Sequence, residues 1–302
     1  MFRLPDTPQA GLAFVAFGFL IAPGMDVFAK LLTANHAPGM VGVMRFATSV
    51  AILLVLISLL GRWSRPRPGH VMGGVFLGLA LMTINAAFQV MPLANALAIF
   101  FVEPLVLTIL SAIFLGEKIG WRRITAVLIG LIGALIVLRP NITAYGPSAA
   151  WPLATAVCFA CYMMTTRVMT VSGNLLSMQF WMSLSAAGGL CFLMLIHPPA
   201  LAGLVTPSLP AMSELWLVLG MGGLGVVAHQ ILAHGLKRAE ASLIAPMQYL
   251  EIVSAILFGW WIFHDLPDLM TWVGTAVIVT SGIYVLHRER KVQITNAPDT
   301  TV

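Results

Sequence analysis

Glu103 and Glu251 are the residues of this 302-residue chain best placed to do chemistry, because each stands near the middle of a long apolar run. An ionised carboxylate at such a depth costs roughly 2.5–3.5 kcal/mol on insertion scales. A side chain kept there at that cost contacts a substrate, exchanges a proton, or is tied to a neighbouring helix by hydrogen bonds. A proline accompanies each acid: Pro104 follows Glu103 directly, and Pro246 precedes Glu251 by five residues. Proline has no N–H to donate, so both helices lose a backbone hydrogen bond close to their acid. A carbonyl freed in this way is tolerated in a membrane only beside protein or water, which leaves cavity-lining backbone and simple bending as the two readings.

Other polar side chains are scattered through the apolar runs. Asp26 and Lys30 are four apart, on one helical face, with the acid N-terminal to the base, so they form either a structural bridge or a gating or binding pair. Pro23-Gly24 just before them bends the helix and is a candidate gate, together with Lys30, Pro104 and Pro246. Arg45 either snorkels to the outer surface or turns inward to meet Asp26 or an anionic substrate group. Asn85 and Gln89 sit one turn apart, and Gln248 and Tyr249 immediately precede the Glu251 turn. Amides and phenols at this depth either stitch helices together or bind a polar solute, as do His229, Gln230 and His234. His229 and His234 are five apart, a poor spacing for one face, so no metal site is expected there. Cys158-Phe-Ala-Cys161 has redox spacing, but in a lipid-embedded helix it reads as packing.

The elements that must position these residues are membrane spans. The chain is 59% hydrophobic and only 9% charged, with a mean hydropathy of +0.95. Ten apolar runs are long enough to cross a bilayer or nearly so: 11–32, 39–60, 71–91, 94–115, 124–138, 149–170, 176–195, 215–235, 241–262 and 269–286. With both termini in the cytoplasm, thirteen of the sixteen Lys and Arg fall in inside segments, and outside links hold only Arg139. That asymmetry is what the positive-inside rule demands. The net charge of +5 therefore reports membrane topology, and no nucleic-acid partner is expected.

The chain also repeats itself. Val41 to Ser49 aligns with Leu175 to Ser183 through the identical pairs Met44/Met178, Phe46/Phe180 and Ser49/Ser183. Further on, Glu103 aligns with Glu251, Glu117 with Asp265 and Gly133 with Gly282. Each half holds five spans, an odd number, so the second half enters the membrane upside down relative to the first. The expected fold is all-α: ten transmembrane helices as two inverted five-helix repeats, 11–138 and 149–286, followed by a cytoplasmic tail, 287–302. The symmetry expects Glu103 and Glu251 on opposite walls of one central cavity, with Asp26 and Arg45 toward its outer mouth.

The stretches Pro92 to Pro104, Phe114-Leu-Gly-Glu-Lys118 with Trp121-Arg-Arg123, Gly130 to Pro140, Ala245 to Glu251 and Phe263 to Asp268 resemble the drug/metabolite transporter superfamily, specifically its EamA-type ten-helix members. Met25 to Lys30, Arg45-Phe46, Tyr249-Leu-Glu251 and Pro267-Asp268 resemble the branch that includes S-adenosylmethionine and riboflavin carriers. His264, where the first half has Gly116, departs from an exact duplication of the cytoplasmic turn. The resemblance implies a bacterial inner-membrane secondary transporter that works by alternating access, with a small polar or amphipathic metabolite as substrate. Riboflavin- or S-adenosylmethionine-type uptake is the narrow expectation, and export of amino acids or metallophores the alternative. No Gly-x4-Gly-Lys-Ser/Thr phosphate loop is present, so the driving force is a gradient rather than ATP hydrolysis by this chain. A lipid-modifying intramembrane enzyme would need a paired-acid metal motif or a His-x4-Asp, and the sequence has neither. The expected partners are one small-molecule substrate and the lipid bilayer, with no cofactor; the oligomeric state is left open, a monomer included.

Overall fold

The computed structural model describes the chain except residues 1–7, 92, 118–119, 139–144, 171–173, 255–256, 258–268 and 296–302. The described residues form helices and short 3-10 turns, without a strand. The helices are α1 (Pro8–Ile21), α2 (Pro23–Thr33), α3 (Pro38–Leu60), α4 (Pro68–Val90), α5 (Leu93–Phe100), α6 (Glu103–Leu115), α7 (Trp121–Leu138), α8 (Ala150–Thr170), α9 (Leu175–Ile196), α10 (Leu215–Arg238), α11 (Ala241–Ile244) and α12 (Leu269–Thr295). These elements occupy all ten expected spans. Six apolar stretches, the first being α1 and α2 together, are long enough to cross a bilayer, shorter apolar helices supply three others, and the ninth span is described only in part.

Local chemistry sets the ends. Pro23, Pro38, Pro68 and Pro104 each lie in the first turn of a helix, where the missing N–H would have been unpaired anyway. Gly61 and Gly116 close α3 and α6 in the left-handed conformation, at φ of 61° and 67°. Outward-facing apolar side chains such as Phe114, Phe192, Leu195 and Leu219 form the lipid-facing surface expected of a membrane protein. Inside the helices, Thr108 and Thr165 donate their hydroxyls to carbonyls one turn back, which satisfies them without water.

Packing between helices follows a pseudo-twofold pattern. The third span, α4, lies against α8 and α9 of the second half. Its counterpart α10 lies against α1 and α3 of the first half. The pairs α3 with α9 and α7 with α12 meet their own repeat mates. Each half thus hands its third helix to the other, so the two repeats interlock around a common centre. Close approach makes this possible: a Cβ on Gly74 would stand 2.6 Å from Cβ of Ser185 on α9, and one on Gly11 would stand 3.0 Å from the Gly235 carbonyl oxygen of α10.

Three spans are broken rather than continuous, a feature the apolar runs alone do not reveal. The first bends at Ala22-Pro23 between α1 and α2. The fourth stops at Phe101-Val102 between α5 and α6. The ninth passes from α11 through a 3-10 turn, Ala245–Tyr249, and is helical again over 250–254. The fourth and ninth spans are repeat mates, and both breaks come directly before their acid. The tenth span runs to Thr295, so part of the expected tail continues the helix.

Candidate functional site

Asp26, Arg45 and Glu251 come together. They line a partly open cavity enclosing ≈ 750 Å³ of empty space, its mouth included, between the two halves. Its walls are otherwise mostly apolar and aromatic, with Phe19, Leu81, Phe100 and Phe159 prominent. Each charged residue arrives from a different structural device. Asp26 stands in the first turn of α2, just past the Pro23 bend, where the positive end of the helix dipole suits an acid. Arg45 is on a continuous stretch of α3 and is buried. Glu251 begins the helical segment that follows the 3-10 break of the ninth span.

The Arg45 guanidinium lies along α10, its Nε 3.3 Å from where a Cβ on Gly225 would stand. Its Nη2 donates to the Met25 sulfur at 3.4 Å, a weak acceptor. Among the described residues it forms no ion pair within 4.0 Å. Asp26 and Glu251 are likewise in no such pair. Lys30 is exposed and makes no ion pair with Asp26 at that distance, so the four-residue spacing does not produce the bridge it allows. A cationic fork and two carboxylates therefore share one low-dielectric chamber without neutralising one another by direct contact.

Glu103 does not line the cavity, in contrast to the symmetric expectation. It is fully buried, its carboxyl group beside the Gln248 side chain but without a hydrogen bond of good geometry among the described residues. Phe100, the last residue of α5 before the α5–α6 break, stands in the cavity wall instead. Gln248 is buried near Glu103, its Nε2 also unpartnered, and Glu251 is within electrostatic range of both Glu103 and Asp26. Tyr249 joins the two broken helices. Its hydroxyl donates to the Phe101 carbonyl at 3.2 Å, capping a group that the break exposes, and its ring packs against Gly130 of α7.

Asn85 and Gln89 lie away from the cavity. Asn85 Nδ2 donates to the Pro38 carbonyl at 3.2 Å and Gln89 Nε2 to the Thr33 carbonyl at 3.5 Å, so both hold α4 to the α2–α3 turn. Gln230 bridges to Gln179 at 2.5 Å and to the Leu175 carbonyl at 3.0 Å, joining α10 to α9. Pro104 and Pro246 are buried at the two breaks. Cys158 and Cys161 are free. No group of three metal-ligating side chains occurs among the described residues. Trp260, Trp261, His264, Asp265 and Pro267-Asp268 fall outside the described residues.

Sequence reasoning singled out His229 without placing it, and did not pick Thr155 or Phe159. All three line the cavity. The signal that could have found Phe159 is the repeat itself, since the sixth span is the mate of the first and both flank the centre.

Two copies of one family model, described as the EamA-like transporter family, match residues 9–139 and 147–287. The chain belongs to the EamA-like transporter family. The S-adenosylmethionine uptake transporter of Rickettsia bellii is 26% identical over 290 residues, covering 94% of this chain and 96% of its own. The riboflavin transporter of Vibrio cholerae is 27% identical over 83% of each chain. The pseudopaline exporter CntI of Pseudomonas aeruginosa is 25% identical over 74% of this chain and 76% of its own. A crystal structure at 19% identity superposes with a TM-score of 0.75, over 93% of this chain and 98% of its own, and speaks for the fold alone. As an EamA-like chain with transporters for relatives, the protein is a membrane transporter and not an enzyme.

Proposed function

We propose that this EamA-like chain is a bacterial inner-membrane carrier, both termini cytoplasmic, that takes up an amphipathic zwitterion of the S-adenosylmethionine type by alternating access. The observation that carries the reading is the shared chamber of Asp26, Arg45 and Glu251 within aromatic walls. An unpaired guanidinium fork suits a carboxylate. Two carboxylates suit an ammonium or sulfonium group, and flat aromatic walls suit a heteroaromatic ring. Riboflavin offers no fixed charge for these three residues, which favours the charged class between the two kinds of uptake relative. Near-full-length similarity to the S-adenosylmethionine carrier supports the same choice.

Coupling to a proton is the second part of the reading. Glu103 is a fully buried acid that does not line the cavity but lies within electrostatic range of Glu251. An acid held at this depth is the group best suited to exchange a proton during the cycle. Loading or releasing that proton as the broken helices move ties the gradient to the substrate cycle.

The test is uptake of labelled S-adenosylmethionine into proteoliposomes of known orientation, with and without an imposed pH gradient. Saturable uptake that an inward proton gradient drives and Arg45→Gln abolishes is the expected result. Flux only in the outward direction would replace the reading with export, the activity named for the pseudopaline relative.

A further inference from the structure

We infer that His229 is a specificity-determining residue, a fixed hydrogen-bond acceptor that reads an N–H donor on the edge of a planar heteroaromatic substrate ring. The inference rests on the cavity being the substrate site. His229 is on α10, 8% exposed, and lines the cavity beside Ala228 and Leu232. Its Nδ1 lies 2.9 Å from the Gly225 carbonyl one turn back. A carbonyl can only accept, so Nδ1 carries the proton and the neutral ring presents Nε2 as a lone-pair acceptor. Nε2 is buried and has no partner among the described residues. A buried acceptor left empty is costly, and a substrate that fills it gains what a substrate lacking the donor does not.

The neighbours define what such a donor must be attached to. Phe100 packs edge-on against Phe159 at 5.8 Å between centroids, Phe159 against Tyr162 at 5.6 Å, and Tyr162 against His229 at 5.7 Å. This row forms an aromatic flank that ends at the imidazole. A flat ring stacked on one of the two cavity-lining rings, Phe100 or Phe159, shares the chamber with His229. Arg45, on the same α10 wall through its contact with Gly225, is then free for an anionic group elsewhere on the same molecule. A saturated substrate of equal charge would match Arg45, Asp26 and Glu251 but leave the acceptor empty.

Binding to the purified full-length carrier in detergent tests this with two matched pairs. One is S-adenosylmethionine against its N6,N6-dimethyl derivative, in which the exocyclic nitrogen has no N–H. The other is riboflavin against its ring N-methyl derivative. Wild type is expected to prefer the N–H-bearing member of the pair it binds by about tenfold or more. His229→Phe is expected to bind both members alike, and His229→Gln, which keeps a carbonyl acceptor, to recover part of the preference. Preference retained in His229→Phe, or absent in wild type, overturns the inference. Arg45→Gln runs alongside. Binding lost in Arg45→Gln with preference intact in His229→Phe leaves the cavity as substrate site and removes only His229. Binding intact in Arg45→Gln, or no binding of either pair, overturns the cavity reading and this inference with it. If His229→Phe does not fold, His229→Gln decides alone, since it must lie between wild type and no preference.

Discussion

The two broken helices carry equivalent acids and have put them to different uses. In the second half, Glu251 follows the 3-10 turn and faces the cavity. In the first half, Glu103 follows a shorter interruption and is fully buried outside the cavity lining. The backbone device is common to both: a proline, a lost turn, then a carboxyl group. What differs is which side chain fills the centre, aromatic rings in one half and the acid itself in the other. Duplication provides two equivalent acids, and divergence leaves one lining the cavity and one buried outside it.

The largest effects should come from exchanging the charge at each site. Glu251→Gln keeps shape and removes charge, so it deletes a charge-assisted contact of about 1.5–3 kcal/mol. Equilibrium binding of a cationic substrate should weaken by about 10- to 100-fold, measured by isothermal titration on purified carrier. Glu103→Gln should leave that affinity within about twofold, because Glu103 lines no part of the cavity. It should instead remove the response of uptake to an imposed pH gradient while exchange of labelled for unlabelled substrate continues. Equal losses of binding in the two variants would erase the distinction between the acids.

Much of this was legible in the residues, and the part that was not has a physical cause. Spans follow from apolar length, and the repeat from the order of Met44, Phe46, Ser49 and Glu103 with their mates, because lipid imposes both directly. Family membership followed from motifs at the helix ends. The position of Glu103 outside the cavity lining did not follow. Whether an acid faces inward or is covered depends on the rotation of a half-helix past its break, and Pro104 marks the break without setting the angle. Asn85 and Gln89 show the same gap: their depth left helix stitching and solute contact both open, and the carbonyls they bond lie on the α2–α3 turn, a tertiary neighbour that spacing does not name. His229 was visible only as a polar residue at depth, since its empty Nε2 is defined by the Gly225 bond and by what is missing around it.

A smaller effect tests whether the two breaks hold each other. Tyr249 of the ninth span caps the Phe101 carbonyl of the fourth. Tyr249→Phe keeps the ring on Gly130 and leaves that carbonyl without its donor, at a cost of about 1–3 kcal/mol. Thermal unfolding in detergent should move down by a few degrees, about 2–4 °C for each kcal/mol in a chain of this order of size. Substrate affinity should stay near wild type, as Tyr249 lines no part of the cavity. A fall in affinity with unchanged unfolding would make Tyr249 a substrate contact rather than a brace between the halves.

The smallest effect lies at the helix starts, where the same comparison recurs with opposite charge. At the start of α4, the Arg67 N–H donates to His70 Nδ1 at 3.2 Å. At the start of α10, its repeat mate, the Ala211 N–H donates to Glu214 Oε2 at 2.8 Å. One backbone cap is thus built with a base on the side richer in Arg and Lys and with an acid on the other. Glu214 does more than cap: it meets His36 Nε2 at 3.0 Å and accepts from Asn35 Nδ2 at 2.9 Å, clasping the α2–α3 turn to α10 outside the apolar helix. The His36 contact above all, then Asn35 and the Ala211 N–H, holds its carboxyl down at about 2, below the ordinary 4.5. A group lowered by folding contributes stability above its ordinary value and loses that contribution as pH falls through the folded one. The clasp should therefore hold at pH 5 and loosen progressively between about 4.5 and 2, read as a widening distance between spin labels at Leu31 and Leu209. Glu214→Gln keeps an acceptor for the Ala211 cap but has no titrating carboxyl, so its label distance should not change across that window. A wild-type distance equally flat would mean that the charge on Glu214 is not needed, the turn being held by the Asn35 donor to its neutral carboxyl and by Ser208 on His36 Nδ1.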